Sequence, residues 1–353
     1  MSLASRRRFH RAGLGLLTGC AMAGIGGRAR AQAARSGPTS PRSSARSVEF
    51  ALLGDTSYDL AEGQDLRRLL PVAAAEAEFL IHVGDIKSGI ESCEDAVLEH
   101  HLFTLASTDK PMVFVPGDNE WTDCHRIFAG SFDPLERLAR LRALAYRPGR
   151  FLEPPGLERQ SVAGQIWPEH QRWQAGPAQF VTLNVVGSKN GLTTSIPERA
   201  HRARAAAVRQ WLLEAMARAQ TAKLPVLVIA LHAAISLEQL NARDLNADVL
   251  DENNPYGWIR ALIWQVICRF DGDVMLMNGD QHVVIHDRPW WYGPFAAVAA
   301  AEFDVPLAAV QERMGRFRHV QTYGSPWSRH YLLISVAAVG DEAPLIQVQP
   351  KAI

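Results

Sequence analysis

The chain has 353 residues, 47% hydrophobic and 21% charged, with a formal net charge of +0. That balance leaves no overall electrostatic footprint for a nucleic acid, so none is expected as a partner. The length suits one large domain with a sizeable core, and past the N-terminus no stretch is long and apolar enough to cross a bilayer.

The first residues read as an address. Ser5-Arg6-Arg7-Arg8-Phe9 matches the twin-arginine export pattern, and residues 12–27 form a mildly apolar, Gly/Ala-rich stretch. Residues 1–33 are therefore expected to be an export signal, and the product to be periplasmic or secreted. Two processing routes fit. One is cleavage at the small-x-small sites Ala29-Arg30-Ala31 or Ala31-Gln32-Ala33; the other is lipidation of Cys20 within Leu17-Thr18-Gly19-Cys20, which would leave a lipid anchor. Residues 34–47 are Ser/Pro/Arg-rich and read as a linker, and residues 48–353 as one folded domain.

Within that domain a short apolar run repeatedly stops on a Gly-Asp pair. Residues 50–53 close on Gly54-Asp55, residues 80–83 on Gly84-Asp85, and residues 113–116 on Gly117-Asp118. Such runs read as buried parallel strands. A helix over residues 60–77, bent or delayed by Pro71, and another over residues 94–106 supply the crossovers. Residues 121–132 and 147–173 are irregular and rich in Gly, Pro and aromatics, with a charged helix at 134–145 between them; they read as loops that shape a pocket or cover a sheet.

Residues 180–186 are strand-like and lead into the loop Gly187-Ser188-Lys189-Asn190-Gly191. Pro197 opens a long helix whose Val208, Trp211, Leu212, Ala215 and Ala219 share one face. Residues 224–231 form a strand ending on His232. A helix with Trp258, Leu262, Ile263 and Val266 on one face precedes residues 274–278, which run into Gly279-Asp280-Gln281-His282. Strand-like runs at 320–323, 331–336 and 345–348 close the chain and are assigned to a second sheet.

Working groups of open α/β sheets lie beyond the carboxyl ends of the strands, and right-handed crossovers bring those ends to one edge. Carboxylates and imidazoles gathered along one edge of one sheet repel or stay unpaired unless a cation holds them. A metal centre is expected there. A dinucleotide-binding module is set aside, because Gly54-Asp55-Thr56-Ser57 lacks the G-x-G-x-x-G spacing.

The blocks Gly54-Asp55-Thr56-Ser57, Gly84-Asp85, Gly117-Asp118-Asn119-Glu120, His232 and Gly279-Asp280-Gln281-His282 stand in the order Asp-x-His (or Asp-x-Gly), Gly-Asp, Gly-Asn-His-Asp/Glu, His, Gly-His-x-His. In this the chain resembles the calcineurin-like metallophosphoesterases, which include the purple acid phosphatases, over nearly the whole mature length. The resemblance implies an α/β fold, a four-layer α/β/β/α sandwich. It also implies hydrolysis of a small phosphate mono- or diester by a hydroxide held between two metal ions. By motif position, Asp85 bridges the ions, Asp55 and His282 complete the first, and Asp118, His232 and Asp280 serve the second.

The departures from the pattern shape the expectation. Asp118 replaces an Asn and Asp280 a His, and both changes add a carboxylate, so manganese, iron, magnesium or calcium is expected ahead of zinc. Ser57 stands where many relatives carry a His ligand, and Tyr58 is either a substitute ligand or a packed loop aromatic. Asn119 occupies the place of the family's catalytic histidine; an amide donates hydrogen bonds to a phosphate oxygen but gives up no proton near neutral pH. His125 and Glu120 are the nearest substitutes in sequence; otherwise the substrate has a good leaving group, or turnover is weak.

Lys87 and Asn190 are candidate substrate contacts, with surface charge or loop capping as the alternative. His82 reads as a core histidine, and His286 and Arg288 as pocket lining or surface. Cys93 and Cys124 each follow a motif block and are expected to pair in an oxidising compartment, the alternative being two free thiols; Cys268 reads as a buried apolar residue. Two functions remain: a phosphoesterase, and a metal-binding protein of the same fold without turnover. Ser57 aside, the altered ligand positions keep a metal-competent carboxylate, which favours the enzyme.

Overall fold

The computed structural model describes residues 46–162, 164–237, 241–287, 293–337 and 345–353. The expected export signal, Cys20, all but the last residues of the linker, and Arg288 lie outside the described residues. In chain order the described strands are β1 (Val48–Leu53), β2 (Phe79–His82), β3 (Met112–Phe114), β4 (Glu158–Val162), β5 (Gln165–Ala175), β6 (Ala178–Thr182), β7 (Val226–Ala230), β8 (Asp273–Asn278), β9 (Ile285–Asp287), β10 (Phe317–Gln321), β11 (His330–Val336) and β12 (Ile346–Ala352).

They form two sheets, β12-β11-β1-β2-β3 and β4-β5-β6-β7-β8-β10-β9. In the first, β1, β2 and β3 are parallel, with β11 antiparallel to β1. In the second, β6, β7, β8 and β10 are parallel, and β5 and β9 flank them antiparallel.

Strict alternation along the central strands builds three stacked cores. On β1, Phe50 and Leu52 face the space between the sheets, whereas Ala51 and Leu53 face the helices Leu60–Glu76 and Asp95–Leu105. On β7, Val226, Val228 and Ala230 face the first sheet, and Leu227 and Ile229 face the helices Glu198–Thr221 and Gly257–Arg269. β1 and β7 are thus covered on both faces, which is why their sequences are almost continuously apolar. Between the sheets Phe79 meets Phe180 edge-on at 5.3 Å and Trp173 at 5.6 Å. The layers run helices, five-stranded sheet, seven-stranded sheet, helices, the expected four-layer sandwich.

Helix boundaries follow local chemistry. Asp59 caps Leu60–Glu76 through a hydrogen bond from the Glu62 N–H, and the helix continues through Pro71. Asp133 caps Pro134–Ala145, with proline at its first position.

Three expectations are corrected. The ligand-bearing loops do not share one sheet: Asp55, Asp85 and Asp118 follow strands of the first, His232 and Asp280 follow strands of the second. Strands covered on both faces look alike in sequence whichever sheet they join. Second, β11 and β12 belong with β1, and only β10 joins the second sheet. Third, much of the stretch 147–173 is the antiparallel pair β4-β5. Its alternation is hidden because β5 buries Glu169, His170, Gln171 and Arg172. These polar groups are paired: Arg142 and Asn184 donate to the Glu169 carboxylate, and Gln171 Nε2 donates to the Phe114 carbonyl at 3.0 Å. Among the described residues no helix is long and apolar enough to cross a membrane.

Candidate metal centre

The centre lies where the carboxyl ends of the two sheets meet. His232, fully buried just past β7, donates from Nδ1 to the Val83 carbonyl at 2.7 Å. That bond fixes the ring and leaves Nε2 pointing at acids: 2.8 Å from Asp118 Oδ1, 3.5 Å from Asp85 Oδ1 and 3.9 Å from Asp280 Oδ1. A lone pair facing a carboxylate is repulsive, so positive charge must sit between them. One proton on Nε2 serves one acid well; a cation serves all of them. Ligand atoms of Asp55, Asp85 and His232, and of Asp118, His232 and Asp280, lie within 4.8 Å of one another in each group. The donor set fits a pair of hard cations.

The other imidazole repeats the pattern. His282 Nδ1 donates to the Ser325 carbonyl at 2.7 Å, directing Nε2 toward Asp55 Oδ1 at 3.4 Å. His282 is half-exposed and sits at the rim.

The electrostatics record the crowding. Burial and the charge of Asp118 raise the Asp85 carboxyl well above the usual range. Burial, with a further push from Asp118, moves Asp280 up to about 6, against the pull of His232. Asp118 moves the other way: burial opposes ionisation, but the hydrogen bond and charge of His232 prevail. The acids compete for one imidazole, as expected of a set that needs more positive charge than the side chains provide.

Backbone strain concentrates on the same residues. Asp55, Asp85, Asp280 and His282 have φ of 53°, 57°, 78° and 59°. Left-handed backbone at a residue other than glycine costs on the order of 1 kcal/mol. Sharp turns at the strand ends impose it, and they aim each side chain inward. Two glycines permit the close approach. A Cβ on Gly84, itself at φ 95°, would lie 2.4 Å from the Gly117 N and 2.8 Å from His232 Nδ1. A Cβ on Gly187 would lie 2.5 Å from Asp280 Oδ1 and 2.6 Å from Asp118 Oδ1.

Tyr58 is more than packing. Its hydroxyl donates to Asp85 Oδ2 at 2.9 Å, lies 3.4 Å from His282 Nε2 and accepts from Asn119 Nδ2 at 3.2 Å. Burial first, and then Asp85, raise its pKa, so the phenol keeps its proton. Asn119 Nδ2 also donates to Asp85 Oδ2 at 2.6 Å. Ser57 leaves the cluster, with its hydroxyl oriented toward Gly63 in the first helix.

Several expected residues lie elsewhere or are already engaged. Lys87 is fully buried, and its ammonium donates to the Ser88 and Glu91 carbonyls at 3.0 and 2.9 Å, so it is not a substrate contact. Asn190 is buried too; its Oδ1 accepts from the Val186 N–H and its carbonyl from Arg204, so it braces its own loop. Glu120 accepts from the Ile86 and Gly117 N–H groups and clips the second motif loop to the third, so both of its oxygens are engaged within the loops. His125 is exposed and donates to the Thr122 carbonyl, with no hydrogen bond to the cluster among the described residues. His286 is exposed. His82 is a satisfied core histidine, bonded to Thr56 Oγ1 at 2.9 Å and held near about 3 by burial and by His232. Cys93 and Cys124 form a disulfide with Cα atoms 5.7 Å apart, and burial pushes the Cys268 thiol up to about 12.

Sequence reasoning missed Ser188, whose hydroxyl bonds Asp118 Oδ2 at 2.7 Å, and Ser325, which orients His282. Ser188 reaches inward only because residues 188–191 form a left-handed turn, with φ of 48°, 52°, 57° and 78°. Ser325 follows Gly324 just past β10, the same strand-then-glycine signal as the other blocks but without an acid after it.

No protein-family model matches the chain, and no curated protein matches it in sequence. Solved structures do match. A dimetal phosphatase from Danio rerio gives a TM-score of 0.50 at 13% identity, over 86% of this chain and 96% of that one. A purple acid phosphatase from yellow lupin seeds gives 0.45 at 11%, over 86% and 54%, and the Plasmodium inner-membrane-complex anchor GAP50 gives 0.43 at 10%, over 87% and 89%. Together with the two-sheet sandwich, the first likeness shows the fold: the chain has the calcineurin-like metallophosphoesterase architecture.

Gly187→Ala is expected to weaken metal binding by at least about tenfold, because either Asp118 or Asp280 must swing away from the inserted methyl group. Calorimetric titration of metal-free protein with manganese checks this, alongside a thermal melt to confirm that the variant folds.

Proposed function

We propose that the protein is a metal-dependent phosphoric ester hydrolase that cleaves a small phosphate mono- or diester at a two-metal centre. The observation that carries this reading is the orientation of His232, whose Nδ1–H is fixed on the Val83 carbonyl while Nε2 meets three carboxylates. Asp55, Asp85 and His282 would hold one ion, and Asp85, Asp118, His232 and Asp280 the other. The oxygen-rich set favours manganese, iron, magnesium or calcium over zinc. Bound there, such a pair of ions would lower the pKa of an attacking water and offset the charge on the phosphoryl oxygens.

The chain's own residues set the rest of the chemistry. Tyr58 and Asn119 both donate to Asp85 Oδ2, which holds that carboxylate in one orientation between the two ligand groups. The Ser188 hydroxyl donates to Asp118 and the Ala234 N–H to Asp280, and the Ser325 carbonyl accepts from His282 Nδ1, so these ligands are held in orientation too. Asn119 gives up no proton near neutral pH, and both Glu120 oxygens are engaged by backbone N–H groups within the motif loops, so neither serves a leaving group. The reaction therefore leans on the leaving group's own acidity, which favours aryl esters, diesters with one good leaving group, or phosphoanhydrides.

Export by the twin-arginine route, with residence in the periplasm or beyond, is part of the same proposal. It is supported by Arg6-Arg7 within the N-terminal motif and by the Cys93–Cys124 disulfide, a bond that persists in oxidising compartments. Changing Arg6 and Arg7 to lysine should hold the protein in the cytoplasm on cell fractionation; unchanged export would contradict the route.

With manganese supplied, the protein is expected to hydrolyse aryl phosphates at rates that fall steeply as the leaving phenol becomes more basic. Asp85→Asn should lower kcat/KM by about a thousandfold or more, since it removes the carboxylate shared by both ligand groups. Asn119→His should flatten the leaving-group dependence. Metal binding without turnover of any mono- or diester would instead favour a binding protein of this fold.

A further inference from the structure

We infer that Arg126 is the residue that grips the phosphoryl oxygens of the substrate at the mouth of the metal centre. This rests on the phosphoesterase reading and adds a residue to it. Arg126 follows the short turn Asp123–His125 in the loop after the third motif block, and its side chain is 45% exposed. The guanidinium is nevertheless held in place. Nη2 forms an ion pair with Asp123 Oδ2 at 2.7 Å and donates to Ser188 Oγ at 3.2 Å. Asp123 is 2% exposed, and the Ser188 hydroxyl reaches both Asp123 Oδ2, at 2.8 Å, and the ligand Asp118, at 2.7 Å. Two hydrogen bonds therefore separate Arg126 from a metal-ligating carboxylate.

The other arm of the fork and Asn119 both border Gly89. A Cβ on Gly89 would sit 3.1 Å from Arg126 Nη1 and 2.8 Å from Asn119 Oδ1, so the two groups flank the same glycine. Asn119 turns its Nδ2 inward to Asp85, which leaves its oxygen on the Gly89 side. Nη1 has no hydrogen-bond partner among the described residues. Glycine at 89 keeps the space beside it free of a side chain.

The chemistry of the site asks for such a group. Asp55, Asp85, Asp118 and Asp280 would surround the ions, Asp123 and Glu120 are buried beside them, and the Lys87 ammonium is tied to backbone carbonyls. A phosphate ester entering that field brings more negative charge, and Asn119 offers it a neutral amide where a histidine would offer a cation. A guanidinium is always charged, and its planar fork matches two phosphate oxygens. Asp123 and Ser188 hold one edge of the fork, which lowers the entropy lost when the other edge meets substrate.

The test compares wild type, Arg126→Ala and Arg126→Lys, each loaded with manganese, by calorimetric binding of inorganic phosphate and by kinetics on an aryl phosphate. Arg126→Ala is expected to weaken phosphate binding and lower kcat/KM on the order of 10- to 100-fold, with metal stoichiometry and melting temperature unchanged. Arg126→Lys should recover part of the loss, because it keeps the charge and loses the fork. If wild type binds phosphate and turns over ester while Arg126→Ala is indistinguishable from it, the inference falls and the phosphoesterase reading stands. If phosphate affinity drops only together with metal content or melting temperature, Arg126 is a structural brace and the inference falls again. If metal-loaded wild type neither binds phosphate nor turns over ester, the phosphoesterase reading fails and takes the inference with it.

Discussion

The 2.7 Å hydrogen bond from His232 Nδ1 to the Val83 carbonyl is the constraint on which the rest of the structure depends. Val83 belongs to the loop after β2 in the five-stranded sheet, and His232 to the loop after β7 in the seven-stranded one. The bond therefore ties the two halves of the sandwich together at the edge where their strands end. It also sets the tautomer of a fully buried ring and directs the remaining nitrogen at Asp118, Asp85 and Asp280. Such an arrangement is tolerable only around positive charge. The fold thus assembles a site suited to positive charge supplied from outside the polypeptide.

That arrangement has a local cost, visible as left-handed backbone at Asp55, Asp85, Asp280 and His282 and as acids displaced from their usual range. The core offsets it. Phe50, Phe79, Trp173 and Phe180 interlock between the sheets, and the Cys93–Cys124 disulfide and the Glu120 carboxylate bind the second and third motif loops to each other. Rigid sheets below and clipped loops above keep like charges together that would otherwise separate.

Much of this was legible in the sequence, for a physical reason. A strand that ends on Gly-Asp announces both its own termination and the side chain presented beyond it, so Asp55, Asp85, Asp118 and Asp280 could be named before their positions were known. Sheet membership could not be read, because β1 and β7 are buried on both faces and carry the same apolar signature. The β4-β5 pair was hidden by buried polar residues such as Glu169 and Arg172, whose partners come from distant segments. Lys87 and Asn190 looked like ligand contacts because loop donors attract that reading, yet backbone carbonyls and amides in their own loops claim them first. Ser188 and Arg126 were invisible for the opposite reason: their roles depend on a left-handed turn and on a neighbouring loop, neither of which leaves a periodic trace.

The most direct test of the account is the metal stoichiometry of the protein purified without chelator and then dialysed against manganese or iron, measured by elemental analysis beside a His232→Ala variant. The account expects about two ions per chain in the wild type and substantially fewer in the variant, since His232 is the one imidazole among the four residues that would hold the second ion. A wild-type protein that remains folded and takes up no metal would contradict it, and would mean that a proton on His232 is the only positive charge the carboxylates share.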